Sequence, residues 1–303
     1  MSVPAFPVHS LAALADWPAT GTSLAVIGQP VTHSLSPVMH NAALAALSAH
    51  EPRFSDWRYH KFEIAPEELA RALPLFHARG FAGLNVTIPH KEAVLEHVEN
   101  ADDFARAAGA ANTLVRTATG WRAFNTDCSG LVDALREEFG VSLASSHVIL
   151  LGAGGAARAA AVQCLRDGVA SLSIGNRSID RLNVLLDHLR PLAGHVPLRG
   201  FALENPPSDL PAGALVINST SAGLKDGSVA PIDLRQLPAP AHVYDMIYNP
   251  AQTALLRQAA ALGVKHANGL SMLLYQGAHA LIKWTGTPAP VEVMDRALHE
   301  AVK

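Results

Sequence analysis

The segment Gly83 to Lys91, GLNVTIPHK, sets a lysine where a strand gives way to another element. Phe81, Leu84, Val86 and Ile88 are apolar, and valine, threonine and isoleucine favour strands. Pro89 suits a first helical position, and Val94, Leu95 and Val98 follow with helical spacing. This pattern predicts Lys91 in the first turn of a helix. The positive end of the helix dipole disfavours a cation there by up to about 1 kcal/mol and eases release of its proton. Such a lysine is suited to proton transfer. Taken alone, it reads first as a solvated lysine that tolerates the position.

Four other sets of residues have types and positions that allow chemistry. Ser34 and Ser36, in QPVTHSLSPVMHN, stand between a strand and a helix. Ser36 before Pro37 reads as an N-cap, and Ser34 reads as a turn residue or a ligand contact. Asp127, in FNTDCSGLVDAL, either caps its helix or does chemistry. In GAGGAARA, Gly152 and Gly154 with Ala157 fit the pattern in which one glycine makes a tight turn and the next lets a pyrophosphate approach backbone amides. The tip of the next strand carries Asn176, Arg177 and, one turn on, Arg181, with no acid to accept from a ribose 2′-hydroxyl. Two arginines there match a 2′-phosphate and point to NADP. Gln276, flanked by Gly277 and Ala278 on an apolar helix, is a satisfied core amide or a substrate contact.

The elements that must position these residues follow from periodicity. Ser23 to Gly28 is a buried strand, and a helix begins at Ser36. Trp57 to Ile64 is a strand, and Pro66 opens a helix that Pro74 kinks or ends early. With Phe81 to Lys91 this makes β-α-β-α-β-α and a mainly parallel sheet. Asn112 to Arg116 and Trp121 to Asn125 form a hairpin. Ser146 to Leu151, Ser171 to Ile174, Ala214 to Ile217 and Val243 to Tyr248 are strands ending in polar turns. Ligands of open α/β sheets bind at that edge. A long helix follows Gly269, and Pro290 opens a last one with Val293, Met294, Leu298 and Val302 on one face.

The expected fold class is α/β with two domains, the first with a mainly parallel sheet and the second a Rossmann-type NADP-binding domain; that the first is a substrate domain, with a cleft between them, is what the family resemblance below implies. The expected boundaries are 1–126 plus 268–303 for the first domain and 127–267 for the second.

Composition narrows the function. The chain has 303 residues, 49% hydrophobic and 16% charged, with a net charge of −3. Nothing in that balance supports nucleic-acid or membrane-surface binding. No apolar run reaches the ~18 residues of a membrane span. Two cysteines, Cys128 and Cys164, make no disulfide framework, and the expected location is cytoplasmic. The fifteen histidines form no HExxH-type cluster, so no metal is expected.

Taken together, IGQPVTHSLSPVMHN, GLNVTIPHK, GAANTLV, FNTD, GAGGAARA, GNRS, INSTSAGL, YDMIYNP and NGLSMLLYQGAHA occur in the order found in the shikimate dehydrogenases. The chain resembles that family along essentially its whole length, apart from the first ~20 residues. The resemblance implies NADP-dependent, reversible reduction of 3-dehydroshikimate to shikimate, on the route to chorismate and aromatic amino acids. It implies that Ser34 and Ser36, with Tyr248 nearby, hold the substrate carboxylate. Asn85, Thr87, Asn112 and Gln276 would contact ring hydroxyls, and Lys91 and Asp127 would be the catalytic pair. Gly152, Ala153, Gly154, Gly155 and Ala156 would form the pyrophosphate turn, and Asn176, Arg177 and Arg181 would bind the 2′-phosphate end. Thr220, Met246 and Gly269 would surround the nicotinamide.

Two other readings stand beside this one. One is a quinate/shikimate dehydrogenase using NAD, which Arg177, Arg181 and the lack of an acid at that strand tip oppose. The other is a non-catalytic NADP-binding regulatory protein, which intact Lys91 and Asp127 oppose. A monomer and a homodimer are both compatible with the sequence, and the partner is a small-molecule substrate.

Overall fold

The computed structural model describes residues 6–18, 20–224 and 228–302. The chain forms two compact units, one reaching to Thr126 and resuming at Leu274, the other running from Asp127 to Leu273. The return was expected at 268. It comes later because Ser271 and Met272 are still tied to the second unit: the Tyr244 hydroxyl lies 3.1 Å from Ser271 Oγ and accepts from Met272 N at 3.1 Å.

In the first unit the elements up to Thr126 are β1 (Val8–His9), α1 (Leu11–Ala15), β2 (Thr22–Gly28), α2 (Ser36–Ser48), β3 (Trp57–Glu63), α3 (Leu69–Ala78), β4 (Gly83–Val86), β5 (Asn100–Ala101), α4 (Asp103–Ala108), β6 (Thr113–Arg116) and β7 (Trp121–Phe124). The sheet order is β1-β3-β2-β4-β6-β7-β5. The first four of these strands are parallel, and the β6–β7 hairpin is antiparallel. Helix α3 runs through Pro74 to Ala78 instead of ending early.

Register divides this sheet into two chemically different faces. Strand side chains alternate between faces, so residues in register and two apart share one. Phe62, Ile27 and Val86 form one row, and Ala25, Leu84 and Leu114 the next. All six belong to the apolar core, with Phe76 and Phe81. On the opposite face the rows are Tyr59–Leu24–Gly83 and Lys61–Val26–Asn85–Thr113. That face carries the polar side chains.

The first ~20 residues, on which the resemblance is silent, also join this unit where they are described. Strand β1 adds to the edge at β3, and Leu11 and Leu14 of α1 enter the core. Trp17 packs at ring-centroid distances of 4.8–5.7 Å against His9, His60, Phe62 and Phe81.

The second unit contains α5 (Asp127–Phe139), β8 (His147–Leu151), α6 (Gly155–Arg166), β9 (Ser171–Asn176), α7 (Ile179–Ala193), β10 (Leu198–Ala202), β11 (Leu215–Asn218), β12 (His242–Asp245), α8 (Ala254–Ala261) and β13 (Lys265–Ala267). All six strands are parallel, in the order β10-β9-β8-β11-β12-β13. This is the Rossmann-type order, which reverses between β8 and β11. Strand β12 stops at Asp245 and not at Tyr248. The buried Asp245 carboxylate accepts from Thr253 Oγ1 (2.6 Å), Asn218 Nδ2 (2.9 Å) and Ile247 N (3.1 Å), and so draws the chain out of the sheet. Strands β10 and β13 and helices α4 and α8 escape the periodicity reading, being short or weakly patterned.

Helix α9 (Leu270–Thr285) begins in the second unit and continues into the first, and α10 (Val291–Ala301) packs on α2. Met294 and Leu298 are the buried residues of α10. No helix among the described residues is long and apolar enough to cross a membrane.

Candidate functional site

In the first unit the expected substrate residues gather at the carboxyl ends of β2 and β4 and on the facing part of α9. Ser34 and Ser36 follow β2. Ser36 is not an N-cap: α2 begins at Ser36 itself, with Leu35 before it and no side-chain cap. Instead Ser34 Oγ accepts from Ser36 N at 3.3 Å. Helix capping therefore does not account for the Ser36 hydroxyl, which is buried.

Asn85 and Thr87 come from β4 and the residue just beyond it. Gly28 makes room for Thr87, since a Cβ on that glycine would lie 2.4 Å from Thr87 Cγ2. Asn85 is held on both sides of its amide. Its Oδ1 accepts from the Tyr59 hydroxyl (2.7 Å), and its Nδ2 donates to Asn112 O (3.2 Å) and Thr113 Oγ1 (3.3 Å). Asn112 precedes β6, and its Nδ2 donates to Thr126 Oγ1 (3.0 Å) and Gln276 Oε1 (3.3 Å). This bond sets Gln276 beside Asn112. Gly277 beside it admits Met39, whose Cε would be 2.2 Å from an added Cβ.

Lys91 lies in a turn and not in a helix. Only a short 3₁₀ segment, Ala93–His97, follows it. The α-helical dipole expected to act on Lys91 is therefore missing. Tertiary anchoring overrides the weak apolar spacing here: His90 is buried and its Nε2 lies 2.7 Å from Ile64 O, while His90 N donates to Thr87 O at 2.9 Å. The turn is tied to the loop before β6 by Ala111 N, which donates to Lys91 O at 2.7 Å.

Sequence reasoning missed two residues of this face, Tyr59 and Lys61. Both are buried on β3. The signal available was the alternation in WRYHKFEI, which sets Tyr59, Lys61 and Glu63 opposite His60 and Phe62. Asn41 grips the Tyr59 backbone at both N and O, at 2.9 Å each, and His40 stacks on the Tyr59 ring with centroids 4.3 Å apart.

The second unit holds Asp127, Tyr248 and the expected cofactor residues. Asp127 is the first residue of α5 and is buried. Tyr248 lies in the loop beyond β12. Gly152 follows β8 at φ +119°, a conformation that favours glycine, and a Cβ there would meet Ser219 Oγ at 2.6 Å. Gly154 differs. It precedes α6, and an added Cβ would find nothing within 4 Å. The protein's own packing does not require a glycine there, but a phosphate approaching the first amides of α6 does. Ala153, Gly155 and Ala156 complete the turn. Asn176 ends β9, and its Nδ2 donates to Ser178 O at 2.8 Å. Arg177 and Arg181 are exposed and have no carboxylate partner among the described residues. This donor set fits a dinucleotide with a 2′-phosphate. Thr220 is oriented by Asn218 Oδ1, which accepts its N–H (3.0 Å) and hydroxyl (2.8 Å). Gly269 and Met246 meet directly, an added Cβ lying 2.1 Å from Met246 O. Among the described residues there is no group of three or more metal-ligating side chains.

Comparison with known proteins gives the following. A family model for the shikimate dehydrogenase substrate binding domain matches residues 26–114, and one for the shikimate 5′-dehydrogenase C-terminal domain matches residues 269–299. The NADP(+) shikimate dehydrogenase of Methanocella arvoryzae is 42% identical over 281 residues, covering 93% of this chain and 99% of the relative. A crystal structure of a shikimate dehydrogenase with NADP+ has a TM-score of 0.82 at 32% identity, covering 93% of this chain and 96% of the other. The Thermus thermophilus shikimate 5-dehydrogenase, crystallised with NADP(H) and shikimate, has a TM-score of 0.79 at 34% identity, covering 92% and 99%.

Proposed function

The chain belongs to the shikimate dehydrogenase family, and from that premise we propose that it catalyses the reversible NADP-dependent reduction of 3-dehydroshikimate to shikimate. The step serves the route to chorismate and the aromatic amino acids. The observation that carries this reading is the hydrogen-bonded polar set of the first unit, in which Asn85, Asn112 and Gln276 are linked. A polyhydroxylated ring acid calls for many neutral hydrogen-bonding groups, and these side chains supply them.

Ser34 and Ser36, with Tyr248, bind the carboxylate. Asn85, Thr87, Asn112 and Gln276 read the ring hydroxyls. Gly152 to Ala156 hold the pyrophosphate, Asn176, Arg177 and Arg181 the 2′-phosphate end, and Thr220, Met246 and Gly269 the nicotinamide. Bound NADPH supplies the hydride for the ring ketone. Lys91 gives its ammonium proton to the developing alkoxide, and in the reverse direction takes the hydroxyl proton. Asp127, a carboxylate, orients the lysine and accepts from the substrate hydroxyl. The protein acts in the cytoplasm, as a monomer or a homodimer.

Steady-state oxidation of shikimate and of quinate, each with NADP and NAD, tests the reading. The shikimate–NADP pair gives the highest kcat/KM. Preference for quinate with NAD would move the assignment to a quinate dehydrogenase, and no turnover of either acid would remove it.

A further inference from the structure

Lys61 lies near the middle of β3, on the polar face, at 7% exposure. Its row runs Lys61–Val26–Asn85–Thr113, so it shares a face with a residue proposed to read the substrate. Its ammonium has three donors. One hydrogen bond is made, to Thr32 O at 2.8 Å, and no carboxylate among the described residues lies within ion-pair distance. Glu63, the acid nearest along the same face, is turned to the backbone, with Oε2 accepting from Val31 N at 3.4 Å. A cation buried without a counter-ion is costly, and burial accordingly pulls the Lys61 pKa below its usual value.

The loop above this ammonium gives the cost a purpose. Thr32 belongs to the segment that carries Ser34 and Ser36, folded by Ser34 N donating to Val31 O at 3.0 Å. The groups assigned to the substrate carboxylate, Ser34, Ser36 and Tyr248, are all neutral hydroxyls. Hydroxyls satisfy a carboxylate's lone pairs but leave its charge without compensation. A buried cation lacking an anion thus sits beneath a loop that awaits an anion lacking a cation.

We propose that Lys61 is a specificity-determining residue: its ammonium, seated under the serine loop at Thr32, supplies the positive charge that selects a ring acid over an uncharged ring alcohol. The charge acts across the loop, with Ser34 and Ser36 making the contacts. This inference rests on the substrate reading above and adds the origin of the preference for an anion.

The test compares shikimate with its uncharged methyl ester, at saturating NADP, in wild type, Lys61→Gln, Lys61→Met and Lys61→Arg. Lys61→Gln keeps a donor for Thr32 O but removes the charge, and Lys61→Arg keeps the charge. Both neutral variants raise the KM for shikimate by roughly 10-fold or more. The ester KM, the NADP KM and kcat stay within about 3-fold, and Lys61→Arg restores most of the preference for the acid. A lysine that merely props the loop would raise both KM values together, and that result overturns the proposal. So does an unchanged acid-to-ester ratio in either neutral variant. Lys61→Gln and Lys61→Met guard against one of them failing to fold. A wild type active on shikimate beside unmoved variants defeats this inference alone, whereas a wild type that turns over neither compound defeats the functional reading and this inference with it.

Discussion

The Tyr59 hydroxyl donates to Asn85 Oδ1 at 2.7 Å, and that one bond decides which way the Asn85 amide faces. With its oxygen held by a hydroxyl on β3, the amide must turn its nitrogen toward Asn112 O and Thr113 Oγ1. The tyrosine is itself immobilised by Asn41 on its backbone and His40 on its ring. A buried chain of side chains outside the sequence motif thereby sets the orientation of a residue inside it.

Tyr59→Phe tests this relation. The ring and its stacking survive, but the buried Asn85 oxygen loses its donor, which costs about 1–3 kcal/mol of stability. The KM for shikimate rises more than kcat falls, because the loss lies in substrate positioning and not in proton transfer. Urea melts and steady-state kinetics measure the two effects. Unchanged stability with an unchanged KM would show that Asn85 is oriented without Tyr59.

Lys91 is tied to its turn through its backbone. The Lys91 carbonyl accepts from Ala111 N, and that bond survives truncation of the side chain. Lys91→Ala therefore lowers turnover by about 10²–10⁴ and changes substrate affinity less. Rapid-mix measurement of the reaction, with shikimate affinity measured separately, distinguishes this from a binding defect. Near-normal turnover would remove Lys91 from the proton-transfer role.

In the proposed assignment, cofactor choice depends on the tip of β9. Arg177 follows the last strand residue, and Ser178 caps α7 by accepting from Arg181 N at 3.4 Å. Both arginine side chains project from a turn built by other groups, so either can be truncated without loss of a structural bond among the described residues. Arg177→Ala raises the KM for NADP by about 10-fold or more and leaves that for NAD little changed, since only NADP carries the 2′-phosphate. Equal effects on both cofactors would place Arg177 elsewhere.

The parts of this architecture legible in the sequence are those that short-range patterns dictate. Alternating strand and helix periodicity identifies the parallel sheets, and Gly152 and Gly154 mark the turn between β8 and α6. Lys91 shows the limit. Val94, Leu95 and Val98 imitate a helix, but His90, anchored through Ile64 O, reduces it to a turn and a short 3₁₀ segment. Ser36 shows the same limit from the other side, because serine before proline looks like a cap until Ser34 is seen to accept its N–H. Tyr59 and Lys61 become visible only once register aligns β3 with β2 and β4.

His40 connects this polar face to pH. It is fully buried, and neither ring nitrogen has a hydrogen-bond partner among the described residues. Burial, opposed in part by the neighbouring Asn85 side chain, pushes its pKa down to about 3, from 6.5. The folded state therefore holds His40 neutral where the unfolded chain takes up a proton. Above pH 6.5 neither state is protonated, and its contribution to stability is fully present. As pH falls from 6.5 toward 3 the unfolded state gains the proton first, and that stability is progressively lost, on the order of 5 kcal/mol over the whole window. His40→Phe keeps a ring against Tyr59 and removes the titration. Urea unfolding between pH 7 and pH 4.5 gives a shallower decline of stability for His40→Phe than for wild type. Parallel declines would mean that His40 is already protonated, or partnered, in the folded protein.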